Sequence, residues 1–173
     1  MSSDLGILVI RVVFGVAMAA HGAQKLFGWF GGYGLKGTGA FFEGLGFRPG
    51  LVFAAAAGLS EFLGGTLLTF GFLTPFGSAA VLAAMLTAMA SVHLKNGFFA
   101  MANGIELPFL YAVSSVGLAF TGPGAFSLDA WFGLTFLRDA YLVVGVLIAA
   151  AVGSAGTLAS RRQVEEHASP ASS

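Results

Sequence analysis

The sequence predicts an all-α membrane protein: a compact antiparallel bundle of four transmembrane helices plus a fifth, C-terminal transmembrane helix. Three observations carry this. Of 173 residues, 57% are hydrophobic and only 9% are charged, where a soluble domain carries about 25%. Mean hydropathy is +0.87, so a chain this poor in charge needs lipid as its solvent. A hydrocarbon core of about 30 Å takes roughly 20 residues of helix, and five charge-poor runs of about that size follow one another along the chain.

The first run, 5–27, is interrupted by Arg11, His21 and Lys25. The second, 51–73, contains one ionisable residue, Glu61. The third, 75–94, opens on a proline, a residue favoured in the first helical turn. The fourth, 107–121, is short and closes at Gly122-Pro123-Gly124. The fifth, 140–160, ends at Arg161-Arg162, and the polar tail after it is expected to be disordered. Short connections make successive helices antiparallel neighbours. The exception is 28–50, rich in Gly and Phe and carrying Trp29, Tyr33, Phe41 and Phe42. It reads as an interfacial or re-entrant segment with aromatics at headgroup depth. In the fifth run, Gly145, Ala149 and Gly153 are spaced by four. Such a stripe favours close helix contact, with the bundle or with a second copy.

Composition also excludes functions. A formal net charge of +0 offers nothing to nucleic acid. Cysteine is absent, which removes disulfides, thiolate catalysis and iron–sulfur ligation. Redox chemistry would have to run through an organic cofactor, a His-ligated metal or a partner protein. Residues 1–4 lack the basic start of a cleavable leader, so the first run is expected to remain as a helix. Five spans place Lys25, Lys36, Arg48, Lys95, Arg161 and Arg162 on one side and leave Arg138 on the other. The excess of Lys and Arg predicts an inner-membrane protein with its N-terminus outside and its C-terminus in the cytoplasm.

Ionisable groups inside a bilayer cost at least about 2.5–3.5 kcal/mol each on insertion scales, so each needs a reason. On the first helix Arg11, Met18, His21 and Lys25 fall within about 80° of arc. On the second, Ala54, Gly58, Glu61 and Gly65 share a face, and the small residues let a neighbour approach Glu61. Arg11 lies about 9 Å below the start of its helix and Glu61 about 15 Å into the second. An Arg11–Glu61 ion pair is therefore expected, as a lock between helices or as part of a site. His21 and His93 end parallel helices near one membrane face, where Lys25, Lys95, Asn96 and Glu106 also lie. A pocket formed by His21, Lys25, His93 and Glu106 is expected there; the alternative is a set of boundary side chains reaching headgroups.

These residues sit in ordered runs: His21-Gly22-Ala23-Gln24-Lys25-Leu26-Phe27-Gly28, Gly37-Thr38 with Phe41-Phe42-Glu43-Gly44-Leu45-Gly46, and Gly58-Leu59-Ser60-Glu61-Phe62-Leu63-Gly64-Gly65. His93-Leu94-Lys95-Asn96-Gly97-Phe98-Phe99 follows, then Gly122-Pro123-Gly124 with Ser127-Leu128-Asp129. The chain resembles the DoxX family of small bacterial and archaeal membrane proteins, from about residue 5 to residue 129. The resemblance implies a four-helix membrane domain over 1–130; the additional transmembrane helix within 131–160 departs from that pattern, and the polar tail follows at 161–173. It also implies a link to oxidoreductase complexes, relatives being described as a subunit of a thiosulfate:quinone oxidoreductase and as a membrane partner of a sulfurtransferase and superoxide dismutase.

Two functions follow. In the first, the chain is an oxidoreductase subunit holding a quinone, or a small thiosulfate-like anion, in a polar intramembrane pocket. His21, Lys25, His93, Lys95 and Asn96 would bind the substrate or quinone. Glu61 and Glu106 would act as the catalytic, proton-carrying carboxylates, since buried carboxylates titrate high. In the second, the chain is a non-enzymatic scaffold that recruits soluble redox or sulfur-metabolism proteins. Haem between His21 and His93 is disfavoured, and no other metal site is expected. Homo-oligomers are compatible with both readings.

Overall fold

A computed structural model describes residues 1–162 and is helical throughout, with no strand among the described residues. The expected disorder of 163–173 lies outside them. Helix α1 spans Ser2–Phe27 and stops at Gly28, whose φ of 75° sets the left-handed cap. The aromatic segment folds as a short turn, Trp29–Gly31, and a helix, α2, at Gly34–Gly44. Helix α3 spans Gly50–Phe70 and also ends on a left-handed glycine, Gly71. Helix α4, Thr74–Ala88, begins with the expected proline in its first turn and continues through a π turn, Met89–His93, and a 3₁₀ turn, Leu94–Asn96. Helix α5 is Glu106–Thr121, α6 is the single turn Leu128–Trp131, and α7 is Ala140–Ala159.

Four of these elements are long and apolar enough to cross a membrane: Ser2–Phe27, Gly50–Phe70, Thr74–Asn96 and Ala140–Ala159. Helix α5, with 16 residues, is about 24 Å long and falls short of the hydrocarbon thickness. In the bundle α3 packs on α1 and α4, α4 packs on α5, and α1 and α5 close the ring with a light contact. Helix α7 stands outside this ring against α4. Met18, Leu68 and Val81, all fully buried, mark the core.

Lipid-facing helices cannot be held by the hydrophobic effect alone, because lipid is as apolar as leucine, so close packing must do the work. The α1–α3 contact shows how. A Cβ on Gly15 would sit 2.6 Å from the Gly65 carbonyl oxygen, and one on Gly22 would sit 2.6 Å from the Gly58 oxygen. Gly15 thus faces Gly65 and Gly22 faces Gly58, which sets the antiparallel register. On α3 the next glycine, Gly64, meets Gly77 of α4, where an added Cβ would approach the Gly77 oxygen to 2.9 Å.

The small-residue stripe of α7 does not meet the bundle. A Cβ on Gly145 or Gly153 would have nothing within 4 Å, and Ala149 is exposed. The buried face of α7 is instead Val143, Ala150 and Ser154, and Ser154 Oγ lies 3.0 Å from Thr87 Oγ1 of α4. Beyond α7, Arg161 Nε donates to Leu45 O and Arg162 N to Gly46 O, both at 2.9 Å. Residues Arg161 and Arg162 thereby tie the C-terminal end of α7 to the α2–α3 turn.

Candidate functional site

The α1–α3 register decides which charges meet. Glu61 is 3% exposed, as expected from the small residues around it. Its partner is Lys25, whose Nζ lies 2.5 Å from Glu61 Oε2. The expected Arg11–Glu61 pair does not form. With Gly15 opposite Gly65, Arg11 is level with the last turn of α3, about 12 Å along the axis from Glu61. The depths inferred from sequence took both helices to end at one level. In fact the first turns of α1 run past the end of α3, where Asp4 accepts from Ala125 N at 2.9 Å.

Arg11 ends among backbone carbonyls. Its Nε donates to Pro123 O at 3.1 Å, Nη1 to Leu68 O at 3.4 Å and also to Thr69 O, and Nη2 to Phe126 O. The last carbonyls of a helix lack intrahelical partners and carry partial negative charge, so a buried guanidinium satisfies both sides without a carboxylate. Asp129 completes this end. Its carboxylate accepts from Leu73 N at 2.7 Å, Thr74 N at 3.0 Å and Thr74 Oγ1 at 2.7 Å, and its own N–H donates to Gly71 O. The Gly122–Gly124 and Ser127–Asp129 motifs, carried into the resemblance without a role, therefore hold the end of the bundle together.

At the other end, His21 and Lys25 are one turn apart on the same face of α1. The His21 ring stands 5.7 Å from the Tyr111 ring at 64°, and Tyr111 in turn meets Phe14 at 5.9 Å. Tyr111 was not among the residues singled out from sequence. Its signal was a lone phenol inside the apolar run 107–121. Lys25 and Glu61 bridge α1 to α3, and His21 and Tyr111 bridge α1 to α5. His21 and Lys25 thus lead from one face of α1 to both neighbours, with the Lys25 side chain 28% exposed.

His93, Asn96 and Glu106 organise the α4–α5 connection. His93 Nδ1 lies 2.8 Å from Asn103 O, Asn96 Nδ2 donates to the same oxygen at 3.1 Å, and Glu106 Oε2 accepts from Ala100 N at 2.8 Å. Lys95 is exposed. No hydrogen bond or ion pair among the described residues joins this group to His21, Lys25 or Glu61. The cavities of about 340, 260 and 460 Å³ elsewhere in the bundle are not lined by His21, Lys25, His93 or Glu106.

The chain matches the DoxX family over residues 6–94, just over half its length. It is 31% identical over 128 residues to a Bacillus subtilis protein named "Putative oxidoreductase CatD", covering 74% of this chain and 87% of that one. It is 32% identical over 131 residues to the Escherichia coli inner membrane protein YqjF, covering 73% and 91%. The membrane protein Rv3486 of Mycobacterium tuberculosis is 28% identical over 133 residues, covering 71% and 78%. No solved structure matches. The relatives, the family match and the apolar helices together make this a multi-pass membrane protein that belongs to the DoxX family.

Proposed function

We propose that the chain is the membrane subunit of an oxidoreductase system and that it receives a quinone head at the group formed by His21, Lys25, Glu61 and Tyr111. The observation that carries this is the Lys25–Glu61 ion pair between two apolar helices, with its glutamate buried and with His21, which meets the Tyr111 ring, one turn from Lys25. A charge pair kept in the bilayer at such cost marks a functional site by default. The donor set fits the ligand. A quinone head presents two carbonyl oxygens, and His21, Lys25 and the Tyr111 hydroxyl are all able to donate to them. Glu61, hydrogen-bonded to Lys25, is placed to pass protons. The bound quinone would supply the two-electron chemistry that a cysteine-free chain lacks. Access would be through the α1–α5 seam, where the bundle is closed most lightly. The oxidoreductase name of the Bacillus subtilis relative supports the class, and electrons would come from a soluble partner. Lys25 and Lys95 would serve equally to draw a small oxyanion toward the same face.

A second reading has its own support. Arg11, His93, Asn96 and Glu106 bond to backbone groups, and Asp129 to two backbone N–H groups and the Thr74 hydroxyl, as in a scaffold whose polar residues only hold helices and loops. The two readings separate in one measurement: mass spectrometry of the quinones that co-purify with detergent-extracted protein. The redox reading expects quinone with the wild-type chain and its loss in His21→Ala, with the bundle still folded. Absence of quinone from the wild-type protein would leave the scaffold.

A further inference from the structure

The cavity of about 340 Å³ lies far from the Lys25–Glu61 pair, where the ends of α1, α4 and α5 meet the segment 122–138. Three charged residues line it: Asp4, Asp129 and Arg138. Asp129 is committed, because both its oxygens accept from Leu73 and Thr74. Asp4 keeps one oxygen on Ala125 N, and the other lies 3.4 Å from the amino group of Met1 at the exposed rim. The Arg138 guanidinium rests beside Gly122, where an added Cβ would come within 3.3 Å of Nε. Among the described residues Arg138 has neither a side-chain hydrogen bond nor an ion pair. A carboxylate and a guanidinium therefore share one cavity without touching.

A ligand that answers both must carry both charges. The rest of the wall is largely apolar, with Pro75, Ala119, Leu134 and Leu137. Much of the wall comes from the segment between α5 and α7, where Trp131 and Tyr141 are 82% and 90% exposed, as aromatics at headgroup depth are. We propose that this cavity binds a phosphoethanolamine headgroup of a bilayer lipid, its phosphate on Arg138, its ammonium on Asp4 and its glycerol end along the apolar wall. Guanidinium takes phosphate through two parallel charged hydrogen bonds, and a primary ammonium has N–H groups to give a carboxylate. A choline headgroup has no N–H, and a glycerol headgroup has no cation, so neither completes the pair.

Native mass spectrometry of the full chain tests this, after exchange into detergent holding equal amounts of phosphatidylethanolamine, phosphatidylcholine and phosphatidylglycerol. The wild-type chain should retain phosphatidylethanolamine about tenfold over the other two, the factor expected from one charged hydrogen bond. Arg138→Gln and Asp4→Asn should each erase that preference while the melting temperature without lipid stays unchanged, since Asn still accepts from Ala125 N and Arg138 holds no bond. Equal retention of the three lipids by the wild-type chain, or a preference that survives both substitutions, would overturn the proposal. Loss of preference only together with unfolding in both variants would also overturn it, by making these side chains part of the fold. Soluble phosphoethanolamine that displaces the lipid at equal concentration would overturn the assignment to a bilayer lipid.

Discussion

Glu61 shows what one residue discloses before its structure is known and what it conceals. Its inward direction was legible, because Ala54, Gly58 and Gly65 repeat around it at helical spacing. Its partner was not, because a partner depends on helix register, and register rests on which glycines face each other. Lys25 is the residue the register supplies, at 2.5 Å. Removing one member of a buried pair costs about 3–5 kcal/mol, and the low end applies here because the Lys25 side chain is 28% exposed. Thermal melts in detergent should show Lys25→Met and Glu61→Gln each destabilising by about that much, and the double substitution by less than the sum. Arg11→Met should also destabilise, through its orphaned carbonyl partners. Combined with Glu61→Gln it should add to within about 0.5 kcal/mol, as separated sites do. A strong coupling between Arg11 and Glu61 would contradict the register.

Elements were easier to read than their contacts. The five apolar runs appear as α1, α3, α4, α5 and α7, because hydropathy and length report on lipid directly. Segment 28–50, marked by its aromatics, is a short helix packed on α3. The Gly122–Gly124 and Ser127–Asp129 motifs carry no role in the sequence, since nothing local announces that Asp129 will cap the start of α4. Faces depend on tertiary neighbours, and α7 shows the consequence. Its glycines promised close contact, yet Val143, Ala150 and Ser154 are the residues it buries. Gly22→Leu should therefore be severe: its Cβ would lie 2.4 Å from Phe62 N, and overpacking costs about 1–3 kcal/mol or more. Gly145→Leu should leave the melting temperature within the small range of surface changes, about 0.5 kcal/mol. A shift in oligomeric size for Gly145→Leu, read by light scattering, would show that the stripe meets a second copy.

At the scale of the molecule, the bundle has two unlike ends. One is closed by Arg11 and Asp129 and carries the cavity at Arg138. The other carries Lys25, Lys36, Arg48, Lys95 and Arg161, and the excess of basic residues should set it in the cytoplasm. A reporter that fluoresces only in the cytoplasm should be bright when fused at the C-terminus and dark at the N-terminus; the reverse pattern would invert the molecule. The candidate site was half legible. Hydropathy exposes any charge in a span, so Lys25, Glu61 and His21 stood out, but which of them meet is a property of packing, and Tyr111 emerged only from the fold. The most direct test of a quinone site is photolabelling with an azido-quinone in membranes, followed by peptide mapping. Label should fall on the peptides of α1 and α5 that contain His21 and Tyr111, and unlabelled quinone should compete it away. Label confined to α7 or to the cavity of about 260 Å³, which Trp29, Phe62 and Phe70 line, or none that competes, would contradict the account.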